Sequence, residues 1–82
     1  MNINAKIKVA VIFENGQTKP RWFVWEGRKY DVQNVCYVWR DKKGDEDLHL
    51  FSVTDGTNTY ELVFNAAGMT WHLNNVQGDI AC

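Results

Sequence analysis

The sequence predicts an all-β domain, a six-stranded antiparallel meander that forms either a small barrel of SH3-like size or a compact two-sheet sandwich. Apolar residues recur at every second position in several segments, and helical spacing is not sustained anywhere along the chain. Gly-containing turns divide these segments at short intervals. With 82 residues, 45% of them hydrophobic, the chain is sufficient for one domain and too apolar to be disordered.

The first three predicted strands are separated by turn-forming residues. Residues 3–13 alternate between apolar and polar, and Asn15-Gly16 follows them as a turn. The only proline, Pro20, precedes a second strand over residues 21–26. A glycine then separates this strand from a third, over residues 28–40.

The third strand changes phase at Gln33-Asn34. Its apolar residues occupy even positions before this pair and odd positions after it, so we expect a β-bulge there that restores one continuous core face. Without the bulge, that face would include Asn34, Cys36 and Val38 instead. The expected core residues of strands two and three are Phe23, Trp25, Tyr30, Val32, Val35, Tyr37 and Trp39.

The second half of the chain completes the predicted meander. A charged loop over residues 41–47 leads to strand four at 48–54. Strand five covers 59–64 and strand six 69–74, with Phe64 on the alternating apolar side of strand five and Trp71 facing inward on strand six.

The predicted organisation is a single barrel domain over residues 1–74 with a C-terminal tail over 75–82. Cys36 lies in an apolar run and is expected to be a small core side chain, while Cys82 belongs to a frayed end. Because small secreted domains are usually rich in cysteine, we expect a cytoplasmic protein. No apolar stretch approaches the roughly 20 residues that a membrane helix needs, so no membrane partner is expected.

The net charge of −1 conceals an uneven distribution. Residues 1–43 contain all nine basic residues and four acids, whereas residues 44–82 contain six acids and neither Lys nor Arg. We therefore expect two differently charged sides.

The hairpin of strands two and three is the most informative feature of the basic half. With Glu26-Gly27 as its turn, Trp22 lies on the face opposite the core, close to Lys29. Either the residue 14–20 loop or the tail covers this ring, or the ring is a stacking platform for single-stranded nucleic acid or an Arg-bearing peptide. The candidate binding residues are Arg21, Trp22, Lys29, Lys19 and Arg40.

No pattern of catalytic or metal-ligating residues is found in the sequence. The two histidines and two cysteines lack the paired spacing of metal sites, and we expect no metal and no cofactor. Ser52, the only serine, follows His49 by three residues, which places the two on opposite faces of a strand. The sequence thus favours a protein that is not an enzyme.

The hairpin motif also resembles a known family. Phe23-Val24-Trp25-Glu26-Gly27-Arg28-Lys29-Tyr30 is similar to the aromatic, Trp, Gly-Arg and Tyr pattern of an uncharacterised small bacterial all-β family. Tyr60–Phe64 and Trp71–Leu73 resemble the closing hairpin of that family. The resemblance implies a bacterial all-β protein and no activity, cofactor or catalytic residue.

These observations predict a non-catalytic interaction module that binds a protein partner or self-associates as a homodimer. A nucleic-acid-binding module that uses the basic and aromatic hairpin is the alternative. A small enzyme is the least favoured class.

Overall fold

The computed structural model describes residues 2–78, which form seven strands in one antiparallel sheet. In chain order these are β1 (Asn2–Glu14), β2 (Gln17–Trp25), β3 (Arg28–Asp31), β4 (Asn34–Lys43), β5 (Glu46–Thr54), β6 (Asn58–Asn65) and β7 (Thr70–Gly78). Their order across the sheet is β3-β2-β1-β7-β6-β5-β4, and the sheet is not closed into a barrel. The all-β class is confirmed, with seven strands where six were predicted. The described residues contain no helix capable of crossing a membrane.

The two edge strands of this sheet are neighbours in the chain. Only Val32 and Gln33 separate β3 from β4, and three Cα steps span at most about 11 Å. A flat sheet of seven strands would hold its edges about 29 Å apart. The sheet therefore curls until the end of β3 and the start of β4 are within reach of this connection. The Val32 amide donates to the carbonyl of Arg21 and the Gln33 amide to that of Thr54, each at 2.8 Å.

The change of phase in the predicted third strand is real, but its cause is different. The chain breaks into β3 and β4 at Val32–Gln33, and the bulge lies at Cys36, where the register with β5 shifts. Tyr37 consequently pairs with Ser52 and is 65% exposed, so its predicted core position is wrong. Trp39 is half-buried, and its ring lies 5.3 Å from that of Tyr37.

Several strands are longer than predicted. β2 begins at Gln17 and includes the buried Pro20 beside an irregularity in its pairing with β1, a place where a strand tolerates proline. The charged segment 41–47 is mostly strand, since the turn there is only Gly44-Asp45. β7 continues to Gly78, so the first part of the predicted tail belongs to the sheet.

The charges of the two halves mix at the β4–β5 hairpin. Lys42 pairs with Asp47 and Lys43 with Glu46 across the two strands. Such opposite pairs compensate one another across a ladder. The uneven charge along the sequence is therefore not carried over to this hairpin.

Cys36, predicted as a small core side chain, is half-buried and disulfide-bonded. Disulfides are typical of oxidising compartments, which counts against the reducing environment expected from the sequence. The cytoplasmic location remains a prediction. Cys82, predicted as a frayed end, lies outside the described residues.

Aromatic rings fill one end of the concave side of the sheet. Phe23 stacks on Tyr30 and meets Tyr60 edge-on, with both pairs of ring centroids 5.1 Å apart. Aromatic pairs prefer these two geometries. The buried aliphatic residues around the rings are Ile7, Val53, Leu62 and Leu73.

The hydroxyl of Tyr60 anchors the turn between β5 and β6. It donates to Asp55 Oδ2 at 2.7 Å, while the amides of Thr57 and Asn58 donate to Asp55 Oδ1 at 2.9 and 2.8 Å. Partial burial disfavours the Asp55 carboxylate, but these hydrogen bonds outweigh it and hold the pKa below its usual 3.8. Burial and the neighbouring carboxylate raise the pKa of Tyr60 to about 12.

Removing the Tyr60 hydroxyl should destabilise the fold without emptying the core. Tyr60→Phe keeps the ring but removes a donor to a carboxylate, so we expect it to lower the free energy of unfolding by about 1.5 kcal/mol at neutral pH. Urea denaturation measures this, with Tyr37→Phe on the exposed face as the matched control. An unchanged free energy of unfolding would show that the Asp55 contact contributes nothing.

The lowered pKa of Asp55 makes part of the stability dependent on pH. The carboxylate stabilises the fold above its unfolded pKa of about 4, and this contribution is lost as pH falls through the lower folded pKa. Asp55→Asn lacks this carboxylate, so its free energy of unfolding should fall less than that of the wild type as pH is lowered. Urea midpoints across the acid range test this, and wild-type and variant curves that fall in parallel would contradict it.

Candidate functional site

The other end of the concave side is an open cleft of about 1080 Å³. Three aromatic side chains from neighbouring strands, Phe51, Phe64 and Trp71, form its floor. The ring of Trp71 lies 5.0 Å from that of Phe64 and 5.5 Å from that of Phe51. Phe51 belongs to the same buried cluster as Phe23 and Tyr60, and Phe64 and Trp71 pack against that cluster, so the cleft borders the core.

The stagger of the strands leaves this end open. β1 pairs with β7 over Asn2–Ile7 and with β2 over Lys8–Glu14, so the hairpin of β1 and β2 extends beyond the start of β7. At the mouth of the cleft, Phe13 is 77% exposed and Met69 is 75% exposed. Exposed apolar side chains therefore lie at the open end of the cleft.

The ionisable groups that line the cleft all belong to basic residue types. They are Lys19, Arg21, Arg40 and His49, and no Asp or Glu lies among the described residues of the lining. Arg40 pairs across the strands with His49, which in turn pairs with Phe64. Directly paired residues share a face of a sheet, so Arg40 lies on the same side as the aromatic floor.

A bulge places Arg21 in the cleft. The register between β1 and β2 shifts from Ala10–Trp22 to Val11–Pro20, which leaves Arg21 without a partner on β1. The carbonyl of Arg21 accepts from Val32, whose side chain packs on the core. Bulges commonly redirect a side chain in this way. Arg21 and Arg40 therefore approach the cleft from two different strands.

Lys19 contributes less to the cleft than these two arginines. It lies at the rim, and its ammonium group is 4.0 Å from the carboxylate of Glu14, with both side chains largely exposed. Its charge is already partly balanced by that carboxylate.

The remaining predicted binding residues lie on the opposite face. The predicted hairpin register is confirmed, with Trp22 opposite Asp31 and Val24 opposite Lys29. The Lys29 ammonium lies 5.2 Å from the Trp22 ring centroid and 3.6 Å from Asp31. Trp22 is only 37% exposed, since a side chain of its own hairpin lies over the ring. The five predicted residues therefore do not form one patch.

The sequence does not identify the aromatic floor of the cleft as a binding site. Alternation placed Phe64 and Trp71 on apolar sides of their strands, where such residues normally fill a core. Nothing in the alternation shows how far neighbouring strands are staggered, and the stagger decides which inward residues are covered. Val38, predicted to face away from the core, lines the cleft and is 53% exposed.

The arrangement offers apolar contact and positive charge rather than an obvious nucleophile or metal site. Ser52 lines a small polar depression on the convex face, whereas His49 lines the cleft, so the two lie on opposite faces as predicted. Among the described residues, no group of three or more His, Cys, Asp or Glu side chains could hold a metal ion.

No protein-family model, curated protein or solved structure matches this chain. The resemblance of the hairpin to a bacterial family stays a prediction, and function has to be inferred from the geometry of the chain itself.

Two neighbouring residues test the assignment of the hairpin faces. Trp22→Ala removes a partly exposed ring and its contact with Lys29, so we expect a loss of about 1 kcal/mol in the free energy of unfolding. Phe23→Ala empties the core and should cost about 3–5 kcal/mol. Urea denaturation compares the two variants, and equal losses would contradict the assignment.

Proposed function

We propose that the chain is a non-catalytic interaction module that binds its partner by taking an apolar group into the cleft. The aromatic floor of the cleft carries this proposal, with Phe64 and Trp71 half-buried and Phe51 only 4% exposed. Phe51, Phe64 and Trp71 come from three different strands and lie side by side at the bottom of a cleft of about 1080 Å³. Ligand pockets commonly occupy about 300–1000 Å³ and are lined mainly by apolar and aromatic side chains.

The exposed rim supports the same proposal. Phe13, Met69 and Val38 all line the cleft and are all more than half exposed. Exposed apolar surface is unfavourable in water, so a group of such side chains around a cleft commonly marks a binding site. A bound apolar group would cover these side chains and the floor together.

Single-stranded nucleic acid is the second candidate. The aromatic floor beside Arg21 and Arg40 combines stacking surfaces with positive charge, as proteins that bind single strands do. The outer ring of Trp22 is less suited to stacking because Lys29 lies over it. Retention on heparin at about 50 mM salt or below would favour this candidate, since phosphate contacts are strongest there.

A neutral dye tests the cleft directly. Nile red should bind and fluoresce, and Val38→Lys should weaken that binding about tenfold because it places a charge in an apolar wall. Tyr37→Lys is the matched control. It is the adjacent residue of β4, is also exposed and lies on the opposite face.

Two results would contradict the proposed function. One is the absence of any dye fluorescence with the folded wild-type protein, and the other is an equal effect of the two lysine substitutions. Circular dichroism of both variants establishes that they are folded. Light scattering over a range of concentrations then shows whether the partner is a second copy of the chain.

A further inference from the structure

We propose that the ligand of the cleft is a free amphipathic anion, an alkyl chain that ends in a carboxylate or a related acid. This inference rests on the proposed function and names the chemistry of the ligand. The alkyl chain lies on Phe51, Phe64 and Trp71, and the acid group meets Arg21 and Arg40.

Charge complementarity is the first support for an anion. Arg21 and Arg40 line the cleft, and no carboxylate does so among its described lining residues. The next pair on the same face of this hairpin after Arg40–His49 is Lys42 with Asp47, and its charges balance. The guanidinium groups carry their charge at all physiological pH values and match the geometry of a carboxylate.

The arrangement of the charges is the second support. The two arginines belong to β2 and β4, which are far apart in the order of the sheet, yet both line the same cleft. The arginines and the aromatic floor line the same cleft. A ligand with an acid at one end and an apolar chain at the other would satisfy both parts of this surface at once.

The shape of the cleft favours a free molecule over a membrane surface. The aromatic floor lies on the concave side of the sheet, where a flat bilayer cannot reach it without entering the curl. A single alkyl chain enters such a space and loses its contact with water, at a gain of about fourfold in affinity for each methylene buried.

Calorimetric titration with ligands of matched chain length tests this inference. Dodecanoate should bind about tenfold more tightly than dodecanol and more tightly still than dodecyltrimethylammonium, because only the anion is attracted by the arginines. All three are used as monomers. Decanoate should bind more weakly than dodecanoate, by about fourfold for each methylene lost.

The arginine variants assign the charge effect to the cleft. Arg21→Gln combined with Arg40→Gln should remove most of the preference for dodecanoate over dodecanol, and the affinity of the same variant for dodecanol is the reference for this comparison. Arg28→Gln is the matched control, because Arg28 lies at the far hairpin, 5.9 Å from the ring of Tyr30. Added salt should weaken the binding of dodecanoate and not that of dodecanol.

The outcomes separate this inference from the proposed function. If Nile red binds but dodecanoate and dodecyltrimethylammonium bind equally, the ligand is not selected as an anion and only this inference fails. If neither Nile red nor any alkyl ligand binds, both fail. Co-sedimentation with anionic phospholipid vesicles that dodecanoate does not compete away would also overturn the choice of a free anion.

Discussion

The two-residue connection between β3 and β4 is the constraint on which the rest of the structure depends. It joins the opposite edges of a seven-stranded sheet, and its reach is far shorter than the width of that sheet laid flat. The sheet must therefore curl, and the curl creates a concave side. Val32 and Gln33 donate hydrogen bonds to β2 and β5, so the connection is fixed to the strand next to each edge of the sheet. Both the core and the cleft follow from this one covalent restraint.

Much of the local structure is predictable because strand alternation and turn chemistry act over a few residues. The Glu26-Gly27 turn sets the register of β2 and β3, and both of its residues have the positive φ that such a turn requires. The alternation likewise places Phe23, Trp25 and Tyr30 on the core side. The predicted core position of Tyr37 is wrong because the bulge lies at Cys36, two residues beyond the expected site. A shift of one residue moves a side chain to the other face of the sheet.

The candidate site is less predictable because it depends on distances between strands rather than on any one strand. Arg21 and Trp22 are adjacent in sequence and are predicted to share a surface, yet the structure places Arg21 in the cleft and Trp22 on the opposite face. Arg40, from a strand distant in the order of the sheet, lines the same cleft as Arg21. Phe64 and Trp71 are correctly placed on the apolar side, where they pack on the core, but the alternation does not show that they also line a cleft.

The ladder between β1 and β7 also has a consequence for folding. It pairs the two ends of the described chain, whereas the other ladders join strands that are consecutive in sequence. Closing so long a loop is entropically costly. The hairpins within residues 2–31 and within residues 34–78 are therefore expected to form first, and the two segments to pair through β1 and β7 afterwards. The walls of the cleft come from both segments. A ligand would therefore bind only the docked native state and would stabilise the whole domain in proportion to the logarithm of its concentration.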